Sequence, residues 1–276
     1  MAGTLYIVST PIGNLKDITL RAIDVLRSSE YILAESSVRS SKLLNEYNID
    51  KKIVTFNKDN EKRKINSIVN DLSNGFNICL VSDAGTPSVS DPGFELVRHL
   101  EPSINIIPIP GPSSLTASLS ISQIPINKFM FLGFLSKKQK EREIQLLHVK
   151  NTLMPAVIFE SKHRIVSLLQ DVVSVLGENT RVAVMRELTK LHEEIYHDTA
   201  SSLLENFLKK PVTGEITMII GVPASEKVSM TEFDQIILEL SKKYSSSEIV
   251  NIIRLFNNDV NKKELYKYVL KIRQDG

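Results

Sequence analysis

The sequence predicts an α/β fold: two α/β sets in series, followed by a small C-terminal helical tail. Three observations carry that expectation. Over residues 5–110, short apolar runs alternate with helical patterns across connections of a few residues, as in a mostly parallel, layered sheet. The alternation resumes after Gly111-Pro112-Ser113-Ser114, but the links between its last strands are short or irregular, which indicates a mixed strand order. Residues 226–276 hold no strand pattern. The expected division is therefore an N-terminal α/β domain (1–112), a C-terminal α/β domain (113–225) and a helical tail (226–276).

Taken in order, Leu5-Tyr6-Ile7-Val8 reads as a buried-type strand, followed by the polar turn Ser9-Thr10-Pro11-Ile12-Gly13-Asn14-Leu15. Asp17 is expected to cap a helix whose apolar face carries Ile18, Ala22, Val25 and Leu26. Strands follow at 31–34 and 53–56, with a helix between them around Leu43 and Leu44. A polar helix over 60–72 ends at Asn74-Gly75. Strand 78–81 leads into a long polar turn and a helical pattern (Phe94, Leu96, Val97, Leu100). In strand 104–110 the prolines mark an edge or a strand end. The second set reads as strand 129–134, a basic loop and helix over 137–147, and strand 156–159. Ile165, Leu168, Leu169, Val172, Val173 and Leu176 then form one helical face, closed by Gly177. Strand 182–185, the run 194–197 and strand 216–222 complete it. Ser245-Ser246-Ser247 marks a helix start in the tail.

Composition bounds the function. The chain has 276 residues, 42% of them hydrophobic and 24% charged, as in ordinary soluble globular proteins. No apolar run approaches the roughly 20 residues a membrane span needs, and the N-terminus carries no basic export-signal region; a cytoplasmic protein with no membrane partner is expected. Cys79, the single cysteine, has no disulfide or metal partner and reads as a small buried hydrophobe. No histidine sits at zinc-ligand spacing, so no metal is expected. The net charge of +2 does not by itself argue for nucleic acid. A dinucleotide site is disfavoured, because no Gly-x-Gly-x-x-Gly follows the first strand.

The chain is organised around Leu80-Val81-Ser82-Asp83-Ala84-Gly85-Thr86-Pro87-Ser88-Val89-Ser90-Asp91-Pro92-Gly93. Ligands in open α/β sheets sit beyond the carboxyl ends of strands, so a strand ending in Ser-Asp-Ala-Gly-Thr-Pro is a binding edge. Gly85 permits close backbone approach, and Asp83 offers an acceptor for hydroxyl or ammonium groups. An ordinary strand-to-helix turn is the competing reading.

Four loops together resemble the small-subunit ribosomal RNA cytidine 2′-O-methyltransferases, a branch of the tetrapyrrole methylase superfamily. They are Tyr6-Ile7-Val8-Ser9-Thr10-Pro11-Ile12-Gly13-Asn14-Leu15-Lys16-Asp17-Ile18-Thr19, the 82–93 stretch, Pro108-Ile109-Pro110-Gly111-Pro112-Ser113-Ser114, and Arg186-Glu187-Leu188-Thr189-Lys190. Phe159-Glu160-Ser161-Lys162-His163-Arg164, Gly214-Glu215 and the tail segment Lys262-Lys263-Glu264-Leu265-Tyr266-Lys267-Tyr268 support them. The resemblance implies two α/β domains of the tetrapyrrole methylase type, a homodimer, and S-adenosylmethionine held in a cleft between the domains. By that analogy Pro11, Gly85, Thr86, Val89, Ser113 and Ser114 touch the donor, with Asp83 at the strand end. The implied activity is methylation of a cytidine 2′-hydroxyl in small-subunit ribosomal RNA, free or in the assembled subunit. Two alternatives stay open: a ribosome-binding homologue with weakened or lost catalysis, and methylation of a tetrapyrrole ring.

Three segments depart from the family pattern. Ala34-Glu35-Ser36-Ser37-Val38 stands where Ala-Glu-Asp-Thr-Arg is usual, with Arg39 one position on. Asn57-Lys58-Asp59-Asn60-Glu61 keeps only the Asn-Glu end of a His-rich segment, and Ser136 replaces a proline after Gly133-Phe134-Leu135. These loops are expected to face RNA. Glu35 and Glu187 are the candidate catalytic carboxylates, against readings as a helix cap and a structural ion pair. His163, between Lys162 and Arg164, reads as a phosphate or surface contact. Lys137, Lys138, Lys140 and Arg142 form a basic cluster expected to meet an anionic partner. In the tail, Asn261 and Glu264 form a capping-box pair. Lys263, Lys267 and Lys271 share one helix face as a candidate RNA contact, while Leu265, Val269 and Ile272 dock against Ile249, Ile252, Ile253 or Leu255.

Overall fold

The computed structural model describes residues 2–222, 230–256 and 260–275. Parts of the expected tail, residues 226–229 and 257–259, lie outside the described residues. The chain divides into two units, Met1–Pro223 and Ala224–Gly276.

The first half of the larger unit runs β1 (Thr4–Val8), α1 (Leu20–Ser28), β2 (Tyr31–Ala34), α2 (Ser37–Glu46), β3 (Lys52–Thr55), α3 (Glu61–Ser73), β4 (Ile78–Val81), α4 (Phe94–Arg98) and β5 (Asn105–Ile109). The strands pair in the order β3-β2-β4-β1-β5, every pair parallel. All five carboxyl ends therefore lie along one edge of the sheet, and the loops that follow them meet there. β5 is an edge strand, as Pro108 requires: a proline has no N–H to give to a second neighbour. Both faces of the sheet are buried. Ala22, Ile23 and Leu26 of α1 and Leu43 and Leu44 of α2 cover one; Ile65, Ile68 and Leu72 of α3 and Leu96 of α4 cover the other. Full burial of a side chain such as Leu26 or Leu72 contributes about 1.5–3 kcal/mol. Cys79 is fully buried within β4, as expected.

The start of α1 differs from the expected one. A short 3-10 turn occupies Leu15–Asp17, and Thr19 rather than Asp17 caps the helix, its side chain accepting from the Ala22 N–H at 3.2 Å.

The second half comprises α5 (Ser114–Ser120), β6 (Met130–Phe134), α6 (Gln139–Thr152), β7 (Ala156–Ser161), α7 (Ile165–Leu176), β8 (Arg181–Arg186), β9 (Glu194–Thr199), α8 (Ala200–Lys209) and β10 (Glu215–Ile220). Its sheet has the order β6-β7-β10-β8-β9; only β6 and β7 are parallel, which is the mixed arrangement expected. Helices α6, α7 and α8 pack on one face. On the other, Val157, Ala183, Met185 and Ile219 meet Leu119 of α5 and Ile12 from the loop after β1. Helices α5 and α8 have no counterpart in the sequence expectation. Serine-rich Ser114-Leu115-Thr116-Ala117-Ser118-Leu119-Ser120 holds too few apolar residues for a clear period.

The tail unit is helical: α9 (Asp234–Ser241), α10 (Ser246–Phe256) and α11 (Lys262–Asp275). Leu265 and Val269 are buried with Ile249 and Ile253, and Ile272 packs beside them; Leu255 instead is 80% exposed and takes no part. Asn261 caps α11 through its Oδ1, which accepts from the Lys263 and Glu264 N–H groups. Among the described residues no helix is long and apolar enough to cross a membrane.

Candidate active site

The loops at the carboxyl edge of the first sheet are joined by backbone pairing. Thr10 and Gly85 exchange both hydrogen bonds (2.8 and 3.0 Å), and Thr10 Oγ1 donates to the Ser82 carbonyl at 3.1 Å. Gly85 sits at φ +81°, a region that L side chains rarely adopt, so the turn after β4 depends on this glycine. Ser9 Oγ and Thr86 Oγ1 are 2.8 Å apart. The rest of the 82–93 stretch is held from the side of β3 and α3: Lys58 Nζ donates to the Ser90 carbonyl (3.3 Å), and buried Glu61 accepts from the Gly93 N–H (3.1 Å). Asn60 accepts from the Asn57 N–H and donates to the Thr55 carbonyl. The Asn60-Glu61 pair therefore bonds inward and shapes the loop, while Lys58 and Asp59 of the same segment are exposed.

The loop after β1 also grips the second sheet. A Cβ on Gly13 would lie 2.5 Å from Lys190 Cγ, 2.7 Å from Thr189 Oγ1 and 2.9 Å from the Leu188 carbonyl oxygen. The Asn14 N–H donates to Thr189 Oγ1 at 3.1 Å. Ser88, Ser90, Glu187 and Thr189 all have positive φ, so non-glycine backbone strain gathers in the two loops that face each other here.

Between the two sheets lies a cavity of about 730 Å³. The first sheet contributes Glu35, Asp83, Gly85, Thr86, Val89 and Asp91 to its lining; Ser113 and Ser114 follow β5. The second contributes Phe134, Phe159, Lys162, His163, Met185 and Thr217, among others. Every residue assigned to the donor thus borders this cavity except Pro11, which is buried; its neighbour Ile12 faces the space instead. A second, shallower hollow of about 500 Å³ adjoins Thr19, Thr116 and Ser120.

The three carboxylates on the first-sheet wall differ in their partners. Asp83 is engaged through both oxygens: Oδ1 accepts from the Ser36 N–H (3.0 Å), and Oδ2 lies 3.2 Å from Arg39 Nη1. Arg39, one position beyond the usual arginine, thereby ties α2 to the loop after β4. Glu35 and Asp91 have no ion-pair partner among the described residues. Burial raises Glu35 above the ordinary carboxylate range, and Asp83 nearby raises it further against the pull of Lys58 and Arg39. Asp91 is pushed up to about 6, first by burial and then by the Glu35 charge; contact with Ser82 and the Lys58 charge oppose this. Sequence reasoning alone does not single out Asp91, Lys58 or Glu61. The signals it offers are the position of Asp91 inside the organising stretch and that of Lys58 and Glu61 in the departing 57–61 segment.

Glu187, the other candidate catalytic carboxylate, does not border the cavity. Its Oε1 accepts from the Glu215 N–H (2.8 Å) and from Lys190 Nζ (2.9 Å), and Lys190 reaches Glu215 as well. Burial works to raise Glu187, but the Glu215 N–H and Lys190 outweigh it and hold the group below the ordinary carboxylate range. The ion-pair reading describes what it does here. Arg142 also departs from expectation. It is 6% exposed and paired with buried Asp171 of α7, so it lies inside the fold rather than in the basic cluster. Lys137, Lys138 and Lys140 are exposed, with Lys138 paired to Glu141 at 2.9 Å. Lys263, Lys267 and Lys271 are exposed on α11.

Comparison with known proteins places this architecture. The family described as Tetrapyrrole (Corrin/Porphyrin) Methylases matches residues 4–204. A protein of Thermotoga maritima named ribosomal RNA small subunit methyltransferase I is 42% identical over 221 residues, covering 79% of this chain and 98% of that protein. The protein of the same name from Buchnera aphidicola subsp. Acyrthosiphon pisum is 36% identical over 274 residues, covering 98% and 97%. A solved structure of cobalt precorrin-4 methyltransferase, a cobalamin biosynthetic enzyme, superposes with a TM-score of 0.61 at 16% identity over 79% of this chain and 94% of that one, a likeness of fold. With its paired sheets, its interlocked strand-end loops and these matches, the chain belongs to the tetrapyrrole methylase family, in the branch of ribosomal RNA small subunit methyltransferase I.

Proposed function

We propose that the chain is an S-adenosylmethionine-dependent methyltransferase that modifies the 2′-hydroxyl of a cytidine in small-subunit (16S) ribosomal RNA. The observation that carries this reading is the single cavity gathering Gly85, Thr86, Val89, Ser113 and Ser114, in a chain matched along its length by ribosomal RNA methyltransferases. The residues present fit the donor. The volume of about 730 Å³ lies within the range of small-molecule sites. Thr86, Ser113, Ser114 and Thr217 supply hydroxyls for polar ends; Ile12, Val89, Met185 and Leu188 supply apolar walls that exclude water. When bound, adenosylmethionine supplies a methyl group already activated by its sulfonium.

The task of the chain is then positioning. Holding the ribose hydroxyl close and in line with the methyl carbon contributes roughly 7–11 kcal/mol to lowering the barrier. The interlock of Gly13 with residues 188–190 fixes the spacing of the two walls on which that alignment depends. In this reading residues 1–112 and 113–225 act as the two domains that meet over the donor. Exposed Lys137, Lys138 and Lys140, Lys162 at the cavity, and the α11 lysines Lys263, Lys267 and Lys271 hold RNA phosphates, in the free RNA or the assembled small subunit. No metal takes part, the protein acts in the cytoplasm, and it acts as a homodimer. Mapping 2′-O-methylation in ribosomal RNA from cells with and without this gene tests the reading. One small-subunit cytidine should lose its mark when the gene is removed; an unchanged map overturns the assignment.

A further inference from the structure

Three carboxylates share the first-sheet wall of the cavity, and two have no cation at ion-pair distance among the described residues. Asp83 is committed to Arg39 and the Ser36 N–H, which leaves Glu35 and Asp91. Their surroundings differ. Glu35 follows β2 directly, whereas Asp91 is carried by the strained turn of residues 88–93, which several bonds hold in place. Lys58 grips the Ser90 carbonyl, Glu61 grips the Gly93 N–H, and the Ser88 N–H bonds to the Pro92 carbonyl at 3.2 Å. A turn of serines at positive φ is a costly way to connect a strand to a helix, and here it delivers one carboxylate to the cavity.

Resting on the methyltransferase reading above, we propose that Asp91 is the proton acceptor of the transfer and that Glu35, on the same cavity wall, is the positioning residue that acts on it. In this step the acceptor hydroxyl oxygen forms the new O–C bond with its own electron pair. The C–S bond of the sulfonium donor breaks, its electron pair leaving with sulfur as a neutral thioether. The hydroxyl proton passes to the Asp91 carboxylate and from there to water.

The groups that face Asp91 come from five places. Glu35 after β2 raises its proton affinity, as does Asp83 after β4 to a smaller extent; the Ser82 hydroxyl and Lys58 after β3 lower it. Arg39 on α2 is occupied by Asp83, and Lys162 and His163 border the same cavity from the second sheet. Burial, the largest cause, and this balance of neighbours together push Asp91 up to about 6. A base titrating there is ionised at neutral pH yet retains more proton affinity than an ordinary aspartate, which is the useful range for general-base catalysis. Glu35 and Asp91 titrate as a coupled pair.

The experiment combines a binding, a spectroscopic and a kinetic readout. In the donor-free protein labelled with 13C at aspartate carboxyls, the Asp91 signal should titrate near 6 and move to lower pH in Glu35→Gln, because a neighbouring negative charge has been removed. By calorimetry, Asp91→Asn should bind adenosylmethionine as wild type does. With ribosomal RNA and donor at saturation, the wild-type rate should rise as pH passes about 6 and then level off. Asp91→Asn should lose about 100-fold or more in kcat together with that acid limb, and Glu35→Gln should shift the limb downward. An Asp91→Asn variant within about threefold of wild type, or one that keeps the limb, overturns the proposal while leaving the methyltransferase reading intact. So does an Asp91 titration that Glu35→Gln does not move. A wild-type protein that binds no donor overturns the underlying reading and this inference with it.

Discussion

The two walls of the cavity solve their electrostatics differently. On the second-sheet side the carboxylates are matched. Lys190 joins Glu187 and Glu215, Arg164 lies 3.1 Å from buried Glu160 while donating to the Leu135 and Ser136 carbonyls, and Arg142 neutralises Asp171 behind the sheet. On the first-sheet side one carboxylate of three is neutralised, and Glu35 and Asp91 are left facing the cavity. Pairing is what a structural charge needs, because desolvating it alone is costly. Burial without pairing persists where the charge has work to do on a ligand. In the proposed reading the second sheet is a fixed platform, and the chemistry belongs to the strand-end loops of the first.

The strongest attack on that division is Arg142→Met. The two side chains of this pair are 7% and 6% exposed, so the substitution strands Asp171 in the core. A loss of about 3–5 kcal/mol of stability is expected, read by urea denaturation, with much of it recovered in Arg142→Met/Asp171→Leu. Donor affinity of the folded fraction should be unchanged. A mild effect on stability with a large effect on RNA binding would return Arg142 to the basic cluster.

Gly13→Ala comes next, because it strikes the join between the walls. The added methyl would overlap Lys190, Thr189 and the Leu188 carbonyl oxygen, all within 2.9 Å. Overpacking of this kind costs about 1–3 kcal/mol, and the displaced wall should weaken adenosylmethionine binding as well as lower the melting temperature. A variant with normal stability and normal donor affinity would show that the interlock does not set the cavity's shape.

The smallest effect belongs to the exposed charges. Changing Lys137, Lys138 and Lys140 together to Glu should leave stability within a few tenths of a kcal/mol, since the surface pair of Lys138 with Glu141 contributes little. RNA binding should weaken, and its log–log salt slope should fall by roughly 0.7–0.9 for each phosphate that is no longer neutralised. An unchanged slope would make this cluster a solvated surface.

Much of this molecule is legible in its sequence, and what is not has a physical reason. Strands 31–34 and 78–81 and helix α7 fall at the expected positions, because continuous apolar runs and a clean 3.6-residue period are local signals. The cavity-lining loops are legible through glycine, proline and serine at strand ends. Asp17 and Thr19 both suit a helix cap, and only the 3-10 turn that ends at Asp17 decides between them. Arg142 reads as exposed in sequence because its partner, Asp171, sits 29 positions away on the otherwise apolar face of α7. Helix α5 escapes a sequence reading because its burial comes from the second sheet, not from its own pattern. Asp91 has no distinguishing sequence signal of its own: the charge that sets it apart comes from Glu35, which only the parallel pairing of β2 with β4 brings near.

If the strand-end loops of the first sheet hold the methyl donor, Gly85 is where that shows most directly. A side chain at this position would have to adopt φ +81° and would disturb the pairing with Thr10 that shapes the cavity floor. Calorimetric titration of the metal-free wild type and of Gly85→Val with adenosylmethionine, with circular dichroism to establish that both are folded, measures the consequence. Saturable one-site binding is expected for wild type and none for Gly85→Val; equal affinity in the two proteins would remove these loops from the donor site.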